Sequence, residues 1–279
     1  MIEVIFLSVL ALIWMSFAVV NDLKTRIVPN WLNFSMIAFA LGFRFFYSLF
    51  TNNFGFFYQG LIGFAIFIFL GNMLYYGRMF AGGDAKLMIA MGAILPFSNN
   101  LSANINIFIL FFILFLFSGA AYGILSALYL SFTNFRKCKK EFSKQFRKNK
   151  VKTFLIILCG VTVLMFGLHN AILFYLGLFI FVLPLFYIYA KSVDEVCLVK
   201  NTKTKDLTEG DWLCKDLKFG RKTIKANWDG LNINEIRLIR KHLKEIKIKQ
   251  GIPFTPVFLI SFIILIYFYF NGISLINLF

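Results

Sequence analysis

Asp22 and Asp84 are the residues of this chain whose type and placement could do chemistry. Thirteen Asp and Glu are present, and nine lie inside the polar stretch 191–252. Of the four outside it, Glu3 is terminal and Glu141 is embedded in a basic loop. Asp22 closes the first apolar segment (VVNDLKTRIVPN), and Asp84 opens the fourth (FAGGDAKLM). A carboxylate at the edge of a bilayer is costly unless it has a partner or a task. Two neighbouring carboxyls can share one proton, because adjacent like charges resist simultaneous ionisation. One then acts as base on a water while the other donates to a substrate carbonyl, which is aspartic protease chemistry and needs no metal or cofactor. Gly82 and Gly83, directly before Asp84, would let backbone approach closely and take conformations closed to other residues. The bland alternatives are an interfacial residue or a helix cap, and a proton-coupled carrier also holds membrane carboxylates. Residue type and placement alone leave these readings open.

The elements that must position the two aspartates are membrane helices. Hydrophobic residues make up 59% of the chain and charged residues 15%, a composition that excludes an ordinary soluble domain. A hydrocarbon core of ~30 Å needs about 20 apolar residues per helix. Runs of that kind occur at 4–20, 31–50, 57–76, 85–101, 105–131, 151–167, 171–190 and 256–278. The first has no basic n-region and no cleavage site, and it reads as a retained helix rather than a signal peptide.

Charge then orients the helices. Of 29 Lys and Arg, nine lie in 132–153 and fifteen in 191–252. Loops 21–30, 77–84, 132–150 and 191–255 hold nearly all of them, while 51–56, 98–104 and 168–170 have no formal charge. Under the positive-inside rule this alternation puts both termini outside and both aspartates at the cytoplasmic face. The net charge of +16 therefore reports topology rather than nucleic-acid binding.

The expected fold is mainly α: a polytopic α-helical membrane protein of six to eight transmembrane helices, N-terminus out, with a small cytoplasmic α+β domain. Its parts would be a catalytic transmembrane core (1–131), a basic cytoplasmic loop (132–150), additional transmembrane helices (151–190), the small cytoplasmic domain (191–255) and a C-terminal transmembrane helix (256–279). The basic loop has interspersed Phe and fits an interfacial amphipathic helix. In the small domain, VDEVCLVKN alternates like a strand, LTEGDWLCKDL resembles a turn between strands, and RKTIKANWDGL could supply another strand. Ile236, Ile239, Leu243 and Ile246 have helical spacing after an Asn232–Glu235 capping pair. The four cysteines form no CxxC pair, so neither a disulfide framework nor a zinc site is supported. Arg44, inside the second span, is expected to snorkel outward.

The local contexts of the aspartates carry more. Asp22 is followed by six residues and then Pro29-Asn30, a D-x6-P-N pattern; Asp84 sits in GGDAKLMIAMG, with Lys86 and Leu87 next and Gly92 eight residues on. Together these resemble the type IV prepilin peptidase and preflagellin peptidase family, membrane aspartic proteases bearing a GxGD-type motif. The resemblance covers roughly residues 4–97, and LTEGDWL looks like a segment of the archaeal branch. Ala81 replaces the motif's first glycine, and the zinc-binding CxxC pairs of the bacterial members are absent.

The resemblance implies an archaeal-type aspartic endopeptidase without methyltransferase function, metal or cofactor. Asp22 and Asp84 would be catalytic, with Gly82, Gly83, Lys86, Pro29 and Asn30 shaping the site. Its partners would be prepilin, preflagellin or other pilin-like precursors and membrane lipid, with no nucleic acid. The enzyme would be a multi-pass protein of the cell membrane, cutting off the short basic leader at the cytoplasmic face. Local acids such as Asp194, Glu195 or Glu209 could receive that leader. The material around 132–190 exceeds the six spans of a minimal preflagellin peptidase and would mark a prepilin-processing subfamily. Asp84 precedes a helix and Asp22 ends one, so the helix dipoles would leave the shared proton on Asp22.

Overall fold

A computed structural model describes residues 1–219, 222–227 and 230–273. Residues 274–278 of the expected last span, and Arg221, Trp228 and Asp229 of the expected strand region, lie outside the described residues. The chain divides into two units: 1–122 with 253–279, and 123–252.

The first unit contains α1 (Ile2–Thr25), α2 (Asn30–Thr51), α3 (Gly55–Tyr76), α4 (Gly82–Ile94) and the first part of α5 (Leu101–Thr133). Among the described residues, six helices of the chain are long and apolar enough to cross a membrane: α1, α2, α3 and α5, plus two that follow in the second unit. α4 is not one of them. Its 13 residues rise only ~20 Å at 1.5 Å each, short of a ~30 Å core. Pro96, which has no N–H to give, follows the C-cap Leu95.

α4 is instead the buried centre of its unit. Met88, Ala90, Met91, Ala93 and Ile94 are fully shielded, as is Leu87 but for 1%. Glycine permits this. A Cβ on Gly92 would fall 2.6 Å from the Gly63 carbonyl oxygen and 2.5 Å from Phe67 Cβ, so α3 and α4 touch backbone to backbone there. α1 lies on α2 through a hydrogen bond from Trp14 Nε1 to Ser35 Oγ at 2.8 Å.

Arg44 does not snorkel. It is completely buried and donates to four backbone carbonyls: Nε to Ala93 at 2.9 Å, Nη1 to Phe56 at 3.0 Å, and Nη2 to Ile94 at 3.1 Å and Pro96 at 2.5 Å. Its guanidinium carbon lies 4.1 Å from the Phe56 ring centroid. The last carbonyls of a helix lack partners along the helix and carry its negative end. A planar five-donor cation satisfies several of them at once, which outweighs the outward reach expected of an arginine near a membrane surface.

The second unit contains the rest of α5, then α6 (Phe135–Lys148), α7 (Lys150–Phe166), a 3-10 turn (Gly167–His169) and α8 (Ala171–Cys197). The basic segment is thus a helix, with Phe142 and Phe146 stacked 6.4 Å apart. Its buried Cys138 has its sulfur 3.3 Å from that of Cys197 on α8. α7 and α8 approach through glycine: a Cβ on Gly177 would meet the Leu164 backbone nitrogen at 2.5 Å.

After α8 comes a small strand-containing fold. The strands β1 (Val199–Lys203), β2 (Trp212–Leu213) and β5 (Glu245–Lys249) form an antiparallel sheet in the order β1-β5-β2, and β3 (Leu217–Phe219) pairs with β4 (Lys222–Ile224). α9 (Ile233–His242) starts at the expected capping box, with Asn232 and Glu235 each accepting from the other's backbone N–H. Two local expectations change. The helix stops before Leu243, and Ile246 is buried as part of the alternating strand EIKIK. The apolar alternation of VDEVCLVKN is helical through Cys197, with extended chain only from Val199.

Candidate functional site

Asp22 stands in the last turn of α1, whose buried stripe runs Val4, Leu7, Ala11, Met15, Ala18 and Asp22. That spacing of three and four residues places the carboxylate on the inward face of the helix. Arg26 closes α1 in a left-handed conformation (φ 60°), its N–H donating to the Asp22 carbonyl at 2.9 Å. Three residues later Pro29, with φ −62°, caps α2, and Asn30 is the first residue of that helix. The D-x6-P-N pattern is therefore the turn that joins α1 to α2.

Asp84 is in the first turn of α4, capped by Ala81. The two motifs meet. Lys86 Nζ donates to Asn30 Oδ1 at 2.7 Å, and a Cβ on Gly83 would lie 3.3 Å from Val28 Cβ. These contacts set the turn that follows Asp22 against the helix start that carries Asp84. Neither Gly82 nor Gly83 takes a conformation closed to other residues, since both begin a regular helix. What Gly83 supplies is the close approach to Val28, while Gly82 has room for a Cβ.

Residues that sequence reasoning missed complete the site. Thr255, fully buried at the start of α10 (Thr255–Phe270), donates to Asp22 Oδ2 from its hydroxyl at 2.9 Å and its N–H at 3.3 Å. Phe80, next to the AGGD turn, joins an aromatic cluster with Phe115, Phe254 and Phe258 at centroid separations of 5.7 to 6.2 Å. That cluster ties the residue before Ala81 to the residue before Thr255. The Thr-Pro pair at the head of an apolar run signals a helix start, but nothing in it indicates a partner 233 residues away.

The dipole of α1 disfavours charge on Asp22 by ~0.3–1 kcal/mol. A hydrogen bond to a charged group stabilises by about 1.5–3 kcal/mol. The Thr255 donors therefore oppose the dipole argument that leaves the shared proton on Asp22. Of the acids considered for a basic leader, Asp194 is already paired with Lys249 at 2.6 Å.

Long apolar helices, with a buried short one whose first turn carries Asp84, define a polytopic α-helical membrane protein. Residues 9–125, which include both aspartates, match the type IV leader peptidase family. A relative is the preflagellin peptidase of Methanocaldococcus jannaschii, 30% identical over 79 residues, which are 28% of this chain and 33% of that protein. The match thus spans about a third of the relative's length. No solved structure matches the chain.

Proposed function

We propose that this chain is a membrane-embedded aspartic endopeptidase that removes the short basic leader of prepilin, preflagellin or other pilin-like precursors. Asp22 and Asp84 are its dyad, working at the cytoplasmic face. The observation that carries this reading is the docking of the D-x6-P-N turn on the GGDAK turn through Lys86–Asn30 and Gly83–Val28. The two motifs of the resemblance form one place, within the segment that matches the leader peptidase family. Gly82, Gly83, Lys86, Pro29 and Asn30 are its shaping residues. The basic loops on either side of the aspartates support the cytoplasmic orientation.

A precursor would lie with its leader in the cytoplasm and its hydrophobic helix in the bilayer, bringing the scissile bond to the depth of the dyad. The carboxyls activate a water and protonate the carbonyl oxygen, without metal or cofactor. Incubating the membrane-embedded protein with a type IV prepilin and reading the product's N-terminus by mass spectrometry tests this. One new N-terminus at the leader junction is expected. An uncut precursor, with Asp22→Asn and Asp84→Asn altering proton flux instead, would assign the pair to a carrier.

A further inference from the structure

We propose that Thr255 is a positioning residue for the dyad: it holds Asp22 as the proton acceptor, so that the shared proton resides on Asp84. The inference rests on the peptidase reading above. Both Thr255 donors converge on one oxygen, Oδ2 of Asp22, from the hydroxyl at 2.9 Å and the N–H at 3.3 Å. Two donors on a carboxyl oxygen favour the ionised form of that group over the protonated one. The arrangement is built into the fold. Asp22 acts as a side-chain acceptor for the first turn of α10, where N–H groups have no partner within the helix. Thr255 is fully buried, Pro256 follows it in the first turn, and Phe254 is held in the aromatic cluster.

Asp84 then supplies the proton, since two adjacent carboxylates do not both ionise. Asp22 Oδ1 takes a proton from water as the water oxygen bonds to the scissile carbon. The carbonyl π pair moves onto its oxygen, which takes the proton of Asp84. On collapse of the resulting diol the C–N bond breaks, and Asp22 passes its proton to the leaving nitrogen. Asp84 regains a proton from one hydroxyl as the C=O re-forms. Both groups return to their starting states.

The test uses full-length protein in lipid nanodiscs and a prepilin precursor, with Asp22→Asn and Asp84→Asn run alongside. Thr255→Val keeps shape and backbone N–H but removes the hydroxyl. Its kcat should fall by about ten- to a hundredfold with KM changed by less than about twofold. Thr255→Ser should recover most of the loss, an outcome that a purely packing role does not produce. A Thr255→Val enzyme with wild-type kcat, or a Thr255→Ser enzyme as slow as Thr255→Val, overturns the proposal. If Thr255→Val does not fold, Thr255→Ala replaces it with the same expected loss. Should either Asp→Asn variant cleave, the dyad reading itself fails; if both are inactive while Thr255→Val is normal, the role of Thr255 alone fails.

Discussion

Lys86 and Asn30 meet across 56 positions of sequence at 2.7 Å. Both are near the surface, so their hydrogen bond contributes only about 0.5–1.5 kcal/mol to stability. Its effect lies in registering the α1–α2 turn against the first turn of α4. Lys86→Met and Asn30→Ala should each lower cleavage while leaving the protein folded. The double variant should be no slower than the worse single one, because the two residues act through one contact. Cleavage rates that fall independently and multiply in the double variant would separate their roles. Asp22 and Asp84 were legible because acids are rare in this chain and their contexts are distinctive. Thr255 was not, since a hydroxyl at the head of an apolar run is ordinary until the tertiary fold brings Asp22 to it. Arg44 misled because a lone arginine in a span has two outlets, water or backbone carbonyls, and sequence does not show the carbonyls.

α4 depends on glycine along its side and on arginine at its end. Arg44→Met would take this donor from the buried Ala93, Ile94 and Pro96 carbonyls, and a buried acceptor left unsatisfied costs about 1–3 kcal/mol. The protein should unfold at markedly lower temperature in detergent, and cleavage should fall with it because α4 carries Asp84. Gly92→Ala drives a methyl into Gly63 and Phe67, an overpacking that costs about 1–3 kcal/mol. Thermal unfolding of both variants, followed by circular dichroism, checks these expectations. The long helices were legible from apolar length alone. Which side of each faces inward was not: α1 exposes Ile5, Phe6, Val9, Ile13 and Phe17 while burying Leu7, Ala11 and Met15, so both faces are apolar. The stop of α9 was hidden because Ile246 satisfies helical spacing and strand alternation equally, and its pairing with Thr202 on β1 decides.

For the whole molecule, α4 leads from the Asp84 turn to the Phe56 end of α3, where Arg44 bridges the Phe56 and Pro96 carbonyls, so the alternation of basic and uncharged loops predicts which segments share a side of the membrane. With the native cysteines replaced, a cysteine introduced at Asn53 should label with an impermeant thiol reagent from outside intact cells, and one at Ser143 only after the cytoplasm is opened. The reverse pattern would place the dyad on the outer face. The small strand-containing fold, built on Leu207, Leu213, Ile236, Ile239 and Ile248, should lose about 1 kcal/mol on Asn232→Ala through loss of its capping box. Its mixed α and β character was legible, while the start of its first strand was not, because α8 continues into residues whose alternation mimics a strand. The central claim is that Asp22 and Asp84 form one proteolytic dyad, and the most direct measurement is prepilin cleavage by Asp22→Asn and Asp84→Asn, each alone, in membranes with wild-type expression. Both variants should insert normally and leave the precursor uncut; an intact cleavage product from either one would contradict the account.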